Sequence, residues 1–446
     1  MTHDALVTDY IASLARSGWR ASDLIDAVRD HITIDTTYAA RTLSRPGLLS
    51  HAEVTQLTED LDHLHAALTG LPDRLFGGDM AAFARAVGAT EAQALACVRG
   101  RSAAPPRMGR ADLLLDDVGF RLMEVNWTSA VGGLDTAGLN RRLLELPFFA
   151  EFAERQGLTF IDPMVELVDT LFTECKVPTG TRPVVGLVDW PASFETLEPQ
   201  LRKSAEWLGA FGMDAYPCHV GQLRYADGRV WLEDLAIDVV YRLFLMEDLL
   251  DDSGPALIEP VLRAAERGEV ALFTAMDSEL YGSKAALALL SDEAMRQHLA
   301  PRELACIDRI LPWTRMVRYG PVTVAGKRVE LTEYAADQQP ELILKPTLFH
   351  GGMGVVQGWK TTREDWRQRI EAAVDQPFVL QRRIHATPEP FPTDTGIEKI
   401  TLAWGAFMVS RGYGGMLVRG SPDADSLLSV NLGATATCCF HQTRPT

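Results

Sequence analysis

Arg110, Asp112, Glu124 and Asn126 are the residues whose types and spacing first point to chemistry. Alternation along a strand puts Arg110 and Asp112 on one face, and Glu124 and Asn126 on one face. Arg110 immediately precedes the run 111–116, which holds Asp112, and Glu124 and Asn126 lie in the run 120–126; Asp117-Val118-Gly119 joins the two runs, a hairpin signal that would fold the two pairs together. Magnesium takes hard oxygen ligands, usually one or two carboxylates with waters and phosphates, so Asp112, Glu124 and the Asn126 amide suit it. Arg110 beside them could neutralise a phosphoryl group in transfer. Read alone, the segment is also a solvated hairpin with chance charges. Against that stands the polar continuation Trp127-Thr128-Ser129, which puts Trp127 and Ser129 forward as substrate contacts.

Cations appear much later in the chain. Lys345 closes the apolar run Leu342-Ile343-Leu344 and precedes Pro346 and the loop His350-Gly351-Gly352-Met353-Gly354. A lysine at a strand end beside a glycine loop can meet phosphate as a point charge while backbone N–H groups approach its oxygens. The spacing is not that of a P-loop. Lys284, at the start of an apolar helix, could supply a second cation; taken singly it reads as an exposed helix-start lysine. Gly412-Tyr413-Gly414-Gly415 feeds a strand ending in Arg419, whose forked donors suit phosphate or carboxylate. Gln381, after the strand 378–380, sits where a hinge could offer hydrogen bonds to a purine edge.

These residues need elements to place them. Apolar positions at helical spacing from Asp9 to about Leu68 predict a helical leader. Strand, helix and strand at 184–188, 195–208 and 214–218, with an apolar strand at 236–244, predict a small parallel α/β unit. Ligands of such units sit at the carboxyl ends of strands, where Asp189 and Arg242 lie, so Arg242 joins the substrate candidates. Strands at 342–345, 378–381, 402–409 and 415–419, with a helix at 363–374, predict an antiparallel α+β unit. The expected division is a helical region at 1–104, a metal-binding hairpin segment at 105–180, a small α/β substrate domain at 181–260 and a nucleotide-binding segment at 261–446.

Composition bounds the partners. With 446 residues, 47% hydrophobic and 23% charged, the chain has ordinary globular usage. The formal net charge of −17 opposes binding to nucleic acid or anionic membrane. No signal-like leader and no apolar run of ~18 residues is present, so the expected location is the cytoplasm. Six cysteines without CxxC spacing read as reduced thiols. Cys438, Cys439 and His441 lie together but lack the spaced ligands of a closed zinc site.

In combination these segments resemble the circularly permuted ATP-grasp ligases, and most closely the synthetase domain of glutathionylspermidine synthetase. The Arg-x-Asp strand (Arg110, Asp112) and Glu-x-Asn strand (Glu124, Asn126) precede Ser283-Lys284, Lys345-Pro346 with its glycine loop, and the strand from Gly412 to Gly420. That is the permuted order. The chain departs from the family in lacking an arginine in the glycine loop, in a longer stretch between Lys284 and Lys345, and in the helical leader. The resemblance implies a permuted ATP-grasp core with ATP and Mg2+ as cofactors. Asp112, Glu124 and Asn126 would hold metal, and Arg110 and Arg419 would act in catalysis. Lys284, Lys345, Gly351, Gly352, Gly354 and Gln381 would bind nucleotide.

The implied reaction activates a carboxylate as an acyl phosphate and passes it to an amine, releasing ADP and phosphate. Small free substrates are expected, two amino acids foremost, with glutamate joined to an unusual amino acid as the leading form. A polyamine acceptor, a small-molecule kinase and an inactive nucleotide-binding module of the same fold are the rivals. A homodimer is the default assembly for a soluble enzyme.

Overall fold

The computed structural model describes residues 3–29, 41–428 and 433–444. Helices α1 (His3–Ser17) and α2 (Ala21–Val28) open it. Strand β1 (Gly47–Leu49) and helix α3 (His51–Thr69) follow. The expected helical leader is therefore interrupted by a strand, and its stretch at 30–40 lies outside the described residues. Ser50 stops one element and starts the next: its Oγ accepts from Glu53 N while the Glu53 carboxylate accepts from Ser50 N at 2.8 Å, a capping box. Leu57, Leu61, Leu64 and Leu68 then form one buried stripe of α3.

That stripe packs on the central sheet, whose strands are β2 (Gly109–Leu115), β3 (Phe120–Asn126), β12 (Gly396–Val409), β13 (Gly412–Ser421) and β14 (Thr435–Thr437). Their order is β14-β13-β12-β2-β3, with Glu389–Thr393 pairing the outer part of β12 as a sixth strand. Ala111, Leu113, Val125, Trp404 and Val418 point to the α3 side and are buried there. The opposite face carries the polar residues described below.

Between the two parts of that sheet the chain builds a second one. Helix α4 (Pro163–Glu174) leads to β4 (Val184–Asp189), α5 (Pro191–Ala210), β5 (Asp214–His219), β6 (Val239–Arg242) and β7 (Ala271–Phe273). The four strands are parallel in the order β7-β6-β4-β5. Its edge strand β7 lies past residue 260, where the sequence reading ended this unit. The apolar run 236–244 is two strands, not one. Leu235–Ile237 belongs to a separate antiparallel sheet, and Asp238 turns the chain, its carboxylate accepting from Val184 N at 2.9 Å.

Helix α6 (Lys284–Ser291) precedes a third sheet made of β8 (Thr314–Met316), β9 (Leu342–Pro346), β10 (Val356–Gln357) and β11 (Phe378–Arg382), covered by α7 (Arg363–Ala373). The late strands expected to share one antiparallel unit are thus divided: 342–346 and 378–382 belong here, and 396–421 to the central sheet. The last strand, β15 (Cys439–Gln442), pairs in parallel with β1 and antiparallel with Leu158–Thr159. No helix among the described residues is long and apolar enough to cross a membrane.

Candidate functional site

The hairpin β2–β3 brings the first four residues together through its register. Arg110 pairs with Asn126 and Asp112 with Glu124, so all four side chains share one face. Asp116 holds the turn, its Oδ1 accepting from Val118 N and Gly119 N at 2.8 and 2.9 Å. Arg110 forks onto Asp112 at 2.7 and 3.1 Å. Asp112 Oδ2 also takes Arg419 Nη2 at 2.9 Å and the Asn126 amide at 3.1 Å. Burial works to raise the Asp112 carboxyl, and the Arg110 and Arg419 guanidinium groups overcome it and hold it below the usual range.

Gly405 makes this cluster fit. It lies opposite Asp112 on the neighbouring strand β12, and a Cβ there would stand 2.8 Å from Arg110 Cδ and 3.0 Å from Asp112 Oδ1. Sequence reading passed over it. A lone glycine inside the apolar run 402–409 was the available signal, because glycine in a strand interior often marks close approach.

The later lysines arrive on the same face. Ser283 caps α6, its Oγ accepting from Ala285 N at 3.2 Å, and this sets Lys284 inward. Lys284 is buried, not exposed as its sequence context alone would have it; Nζ meets Glu124 Oε2 at 3.1 Å and donates to the Phe349 carbonyl at 3.0 Å. Lys345, on β9, donates to Gln381 Oε1 at 2.8 Å and to the Met123 carbonyl at 3.2 Å, where a bulge breaks the β2–β3 ladder. Burial pushes the Glu124 carboxyl up, yet Lys284 and Lys345 outweigh it and hold it at about 2. Burial drives Lys345 down to about 8, against the pull of Glu124.

Gln381 acts through its side chain: it is buried, fixes Lys345 and donates to Thr314 Oγ1 at 3.3 Å. In the glycine loop Gly351, Gly352 and Gly354 all have positive φ, at 65°, 84° and 69°. Gly351 and Gly352 line the cavity, whereas Gly354 packs on Pro346, whose Cγ would lie 2.8 Å from an added Cβ. His350, in the same loop, reaches Glu247 just beyond the parallel sheet at 3.7 Å.

These side chains surround a cavity of about 330 Å³. Arg110, Asp112, Glu124, Asn126, Lys345, Gln381 and Arg419 all line it. Its outer wall includes Trp359, with Arg383 stacked on the indole at 4.0 Å and paired to Asp425 at 2.7 Å. Among the described residues no three His, Cys, Asp or Glu side chains converge as a metal cage. Two carboxylates and an amide remain a fitting donor set for an ion that completes its octahedron with phosphate and water. Glu124 keeps 23% of its side chain accessible on the cavity wall.

Three expected substrate contacts lie elsewhere. Trp127 is wholly buried, its indole donating to the Pro106 carbonyl at 3.1 Å and packing on His65 and Tyr281, so the polar look of its segment was misleading. Arg242 is also wholly buried. Alternation on β6 turns it to the face opposite Tyr241, where it pairs with Glu279 and donates to Thr274 O and Phe244 O at 2.9 and 3.0 Å. Ser129 Oγ is committed to the backbone, accepting from Thr274 N at 3.0 Å and lying 2.5 Å from the Arg242 carbonyl. Cys438 and Cys439 are buried thiols pushed far up by burial, which suits neither a nucleophile nor a ligand.

No family model matches the sequence, and no curated protein matches it. Among solved structures, a glutathione synthetase-like effector from Globodera pallida aligns with a TM-score of 0.56 at 12% identity, over 94% of this chain and 95% of that one. At that identity the likeness speaks for the fold alone: a mixed α/β, glutathione-synthetase-like architecture. A Methylobacillus flagellatus chain named as a gamma-glutamylcysteine synthetase aligns over 81% of each chain at 13% identity, with a TM-score of 0.40 too low to carry an argument.

Proposed function

We propose that this chain is an ATP- and magnesium-dependent ligase of the ATP-grasp type, in the permuted order, joining a carboxylate to an amine with release of ADP and phosphate. The observation that carries the reading is a cavity lined by Glu124, Lys345 and two arginines, in which Lys284 meets Glu124 from behind the wall at 3.1 Å and Lys345 rests on the adjoining carbonyl. The glutathione-synthetase-like fold supports it. An amino acid or a small peptide is the acid substrate we assign, glutamate foremost, by analogy of fold.

Asp112, Glu124 and Asn126 would hold magnesium, which when bound neutralises phosphate charge. Lys284 and Lys345 would bind the phosphates, and Gln381 keeps Lys345 aimed. Arg110 and Arg419, braced on Asp112, would present forked donors where charge develops. In the reaction a carboxylate oxygen of the acid attacks the γ-phosphorus and ADP leaves. The amine's ammonium form first gives a proton to solvent; the freed nitrogen lone pair then attacks the acyl carbon, the bond from that carbon to the phosphate oxygen breaks, and the departing phosphate carries off the second proton lost by the nitrogen. No protein nucleophile is used; positioning and charge neutralisation carry the rate.

ADP release measured with pairs of acids and amines tests this reading. Release should require both partners, whereas a kinase would need only one. Glu124→Ala should abolish release while the circular dichroism spectrum stays unchanged, and full turnover in that variant would remove the metal assignment. Lys345→Ala should weaken ATP binding about tenfold or more in calorimetry; equal affinity would displace the phosphate site.

A further inference from the structure

A second cavity, of about 250 Å³, lies beside the parallel sheet. Alternation on β4 and β6 sends Leu187, Asp189, Tyr241 and Leu243 to its side. Helix α5 covers it with Leu197, Gln200, Leu201, Ser204 and Leu208, which fall on one helical face. Of this 20-residue helix only Leu201 and Leu208 are buried, so its apolar face borders open space instead of packed core. The loop 129–135 closes the cavity and is shared with the first site, since the Gly132 carbonyl accepts from Arg110 Nη1 at 3.0 Å.

The charges on this wall are one-sided. Asp135 and Asp189 line it, and no lysine, arginine or histidine does among the described residues. Asp189 is 3% exposed; its Oδ1 accepts from Trp190 N at 2.8 Å, while Oδ2 has no hydrogen-bond partner. The nearby Ser193 hydroxyl donates to the Trp190 carbonyl at 3.2 Å. A buried carboxylate oxygen left without a donor is costly, and in an apolar cavity the group that relieves it best is a cation with N–H donors. Burial raises the Asp189 carboxyl above its ordinary range, against the Trp190 N–H and the Ser193 hydroxyl, which lower it.

We propose that this cavity binds the amine substrate of the ligase, and that the substrate is a primary amine with a hydrocarbon body and no carboxylate of its own. Its ammonium group meets Asp189, and its body lies against Leu187, Leu201, Tyr241 and Leu243. A free α-amino acid fits poorly, because its carboxylate would enter a cavity that holds the Asp189 carboxylate and is lined by no lysine, arginine or histidine among the described residues. The substrate role rests on the ligase reading above; the ligand chemistry does not.

Calorimetry on the full chain without nucleotide separates the two. Phenethylamine should bind about tenfold or more tightly than either 3-phenylpropionate or phenylalanine. Asp189→Asn should lose that preference while ATP affinity stays unchanged, and its melting temperature should hold or rise because a buried charge is removed. Ser204→Trp, which fills the cavity and leaves the carboxylate, should also block phenethylamine. Equal binding of phenethylamine and 3-phenylpropionate, or wild-type binding in both variants, would overturn the proposal. Phenethylamine that binds through Asp189 but supports no ADP release with any acid would overturn the substrate role and leave the amine site standing, whereas the ligase reading falls only if no acid–amine pair releases ADP.

Discussion

The two cavities are linked through the loop 129–135, whose Gly132 carbonyl accepts from Arg110, and are built from opposite materials. The one on the central sheet is lined by charged residues of both signs locked to one another, with Arg110 and Arg419 on Asp112 and Lys284 on Glu124. The one on the parallel sheet is lined by hydrocarbon with Asp135 and Asp189, and by no lysine, arginine or histidine among the described residues. Paired charges of the first kind fix one another's geometry, which suits the polyanion proposed for that site; the Asp189 oxygen without a donor in the second suits the positive ligand proposed there. The sheets explain the contrast. Antiparallel register stacks four polar side chains on one face of a hairpin, whereas parallel strands are apolar on both faces and expose chemistry only at their carboxyl ends.

The comparison can be broken most forcefully at Arg242, which supports the parallel sheet from behind. Arg242→Met leaves Glu279 buried and uncompensated, so urea unfolding should show a loss of about 3–5 kcal/mol. Native Arg242→Met protein should bind ATP as the wild type does; a parallel collapse of ATP affinity would mean that the two regions are one unit. Gly405→Val acts on the other side. A side chain there forces Arg110 from Asp112, and turnover should fall about 100-fold with phenethylamine binding intact, as expected of a displacement of about 1 Å. Loss of amine binding in that variant would extend the first site's influence across the shared loop.

The smallest effect concerns Glu174, the last residue of α4, which joins the two regions. Helix α4 lends Met164 and Leu167 to the second cavity, while the Glu174 carboxyl accepts from Arg107 N and from Met108 N at 3.2 Å, just ahead of β2. Burial raises this carboxyl to about 7, against those two N–H donors. The folded chain therefore holds the proton more tightly than the unfolded one. Stability from this group is full below the ordinary pKa near 4.5 and is lost as pH climbs through 7. After allowance for partial exposure the change should be about 2 kcal/mol in urea unfolding, and Glu174→Gln should flatten it.

Much of the first cavity was legible because its signals are local. Arg110, Asp112, Glu124 and Asn126 fall within one hairpin, and strand alternation alone puts them on one face. The convergence of Lys284 and Lys345 on that face depends on a sheet that no local pattern encodes, and only the resemblance in motif order anticipated it. Misreadings came where polarity and burial part company. Trp127 and Arg242 look functional because they are polar or aromatic at strand ends, yet inside the fold Trp127 donates to a backbone carbonyl and Arg242 to backbone carbonyls, two hydroxyls and Glu279. Gly405 is the converse, a residue with no side chain whose role appears only against its neighbours across the sheet. Strand β1 was missed because three residues, Gly47-Leu48-Leu49, carry no period of their own.

That short strand ties the helical opening to everything else. β1 lies parallel to β15, and just ahead of it the buried Arg45 binds Glu389 at 2.7 Å and stacks over Phe391. Cutting the chain back to the motif-bearing part from residue 105 would strip β15 of one of its two neighbours and leave the Glu389 carboxylate without its arginine. The described part of this opening region is thus a clasp that fastens the molecule shut, and any attempt to isolate a smaller folded unit has to carry it along.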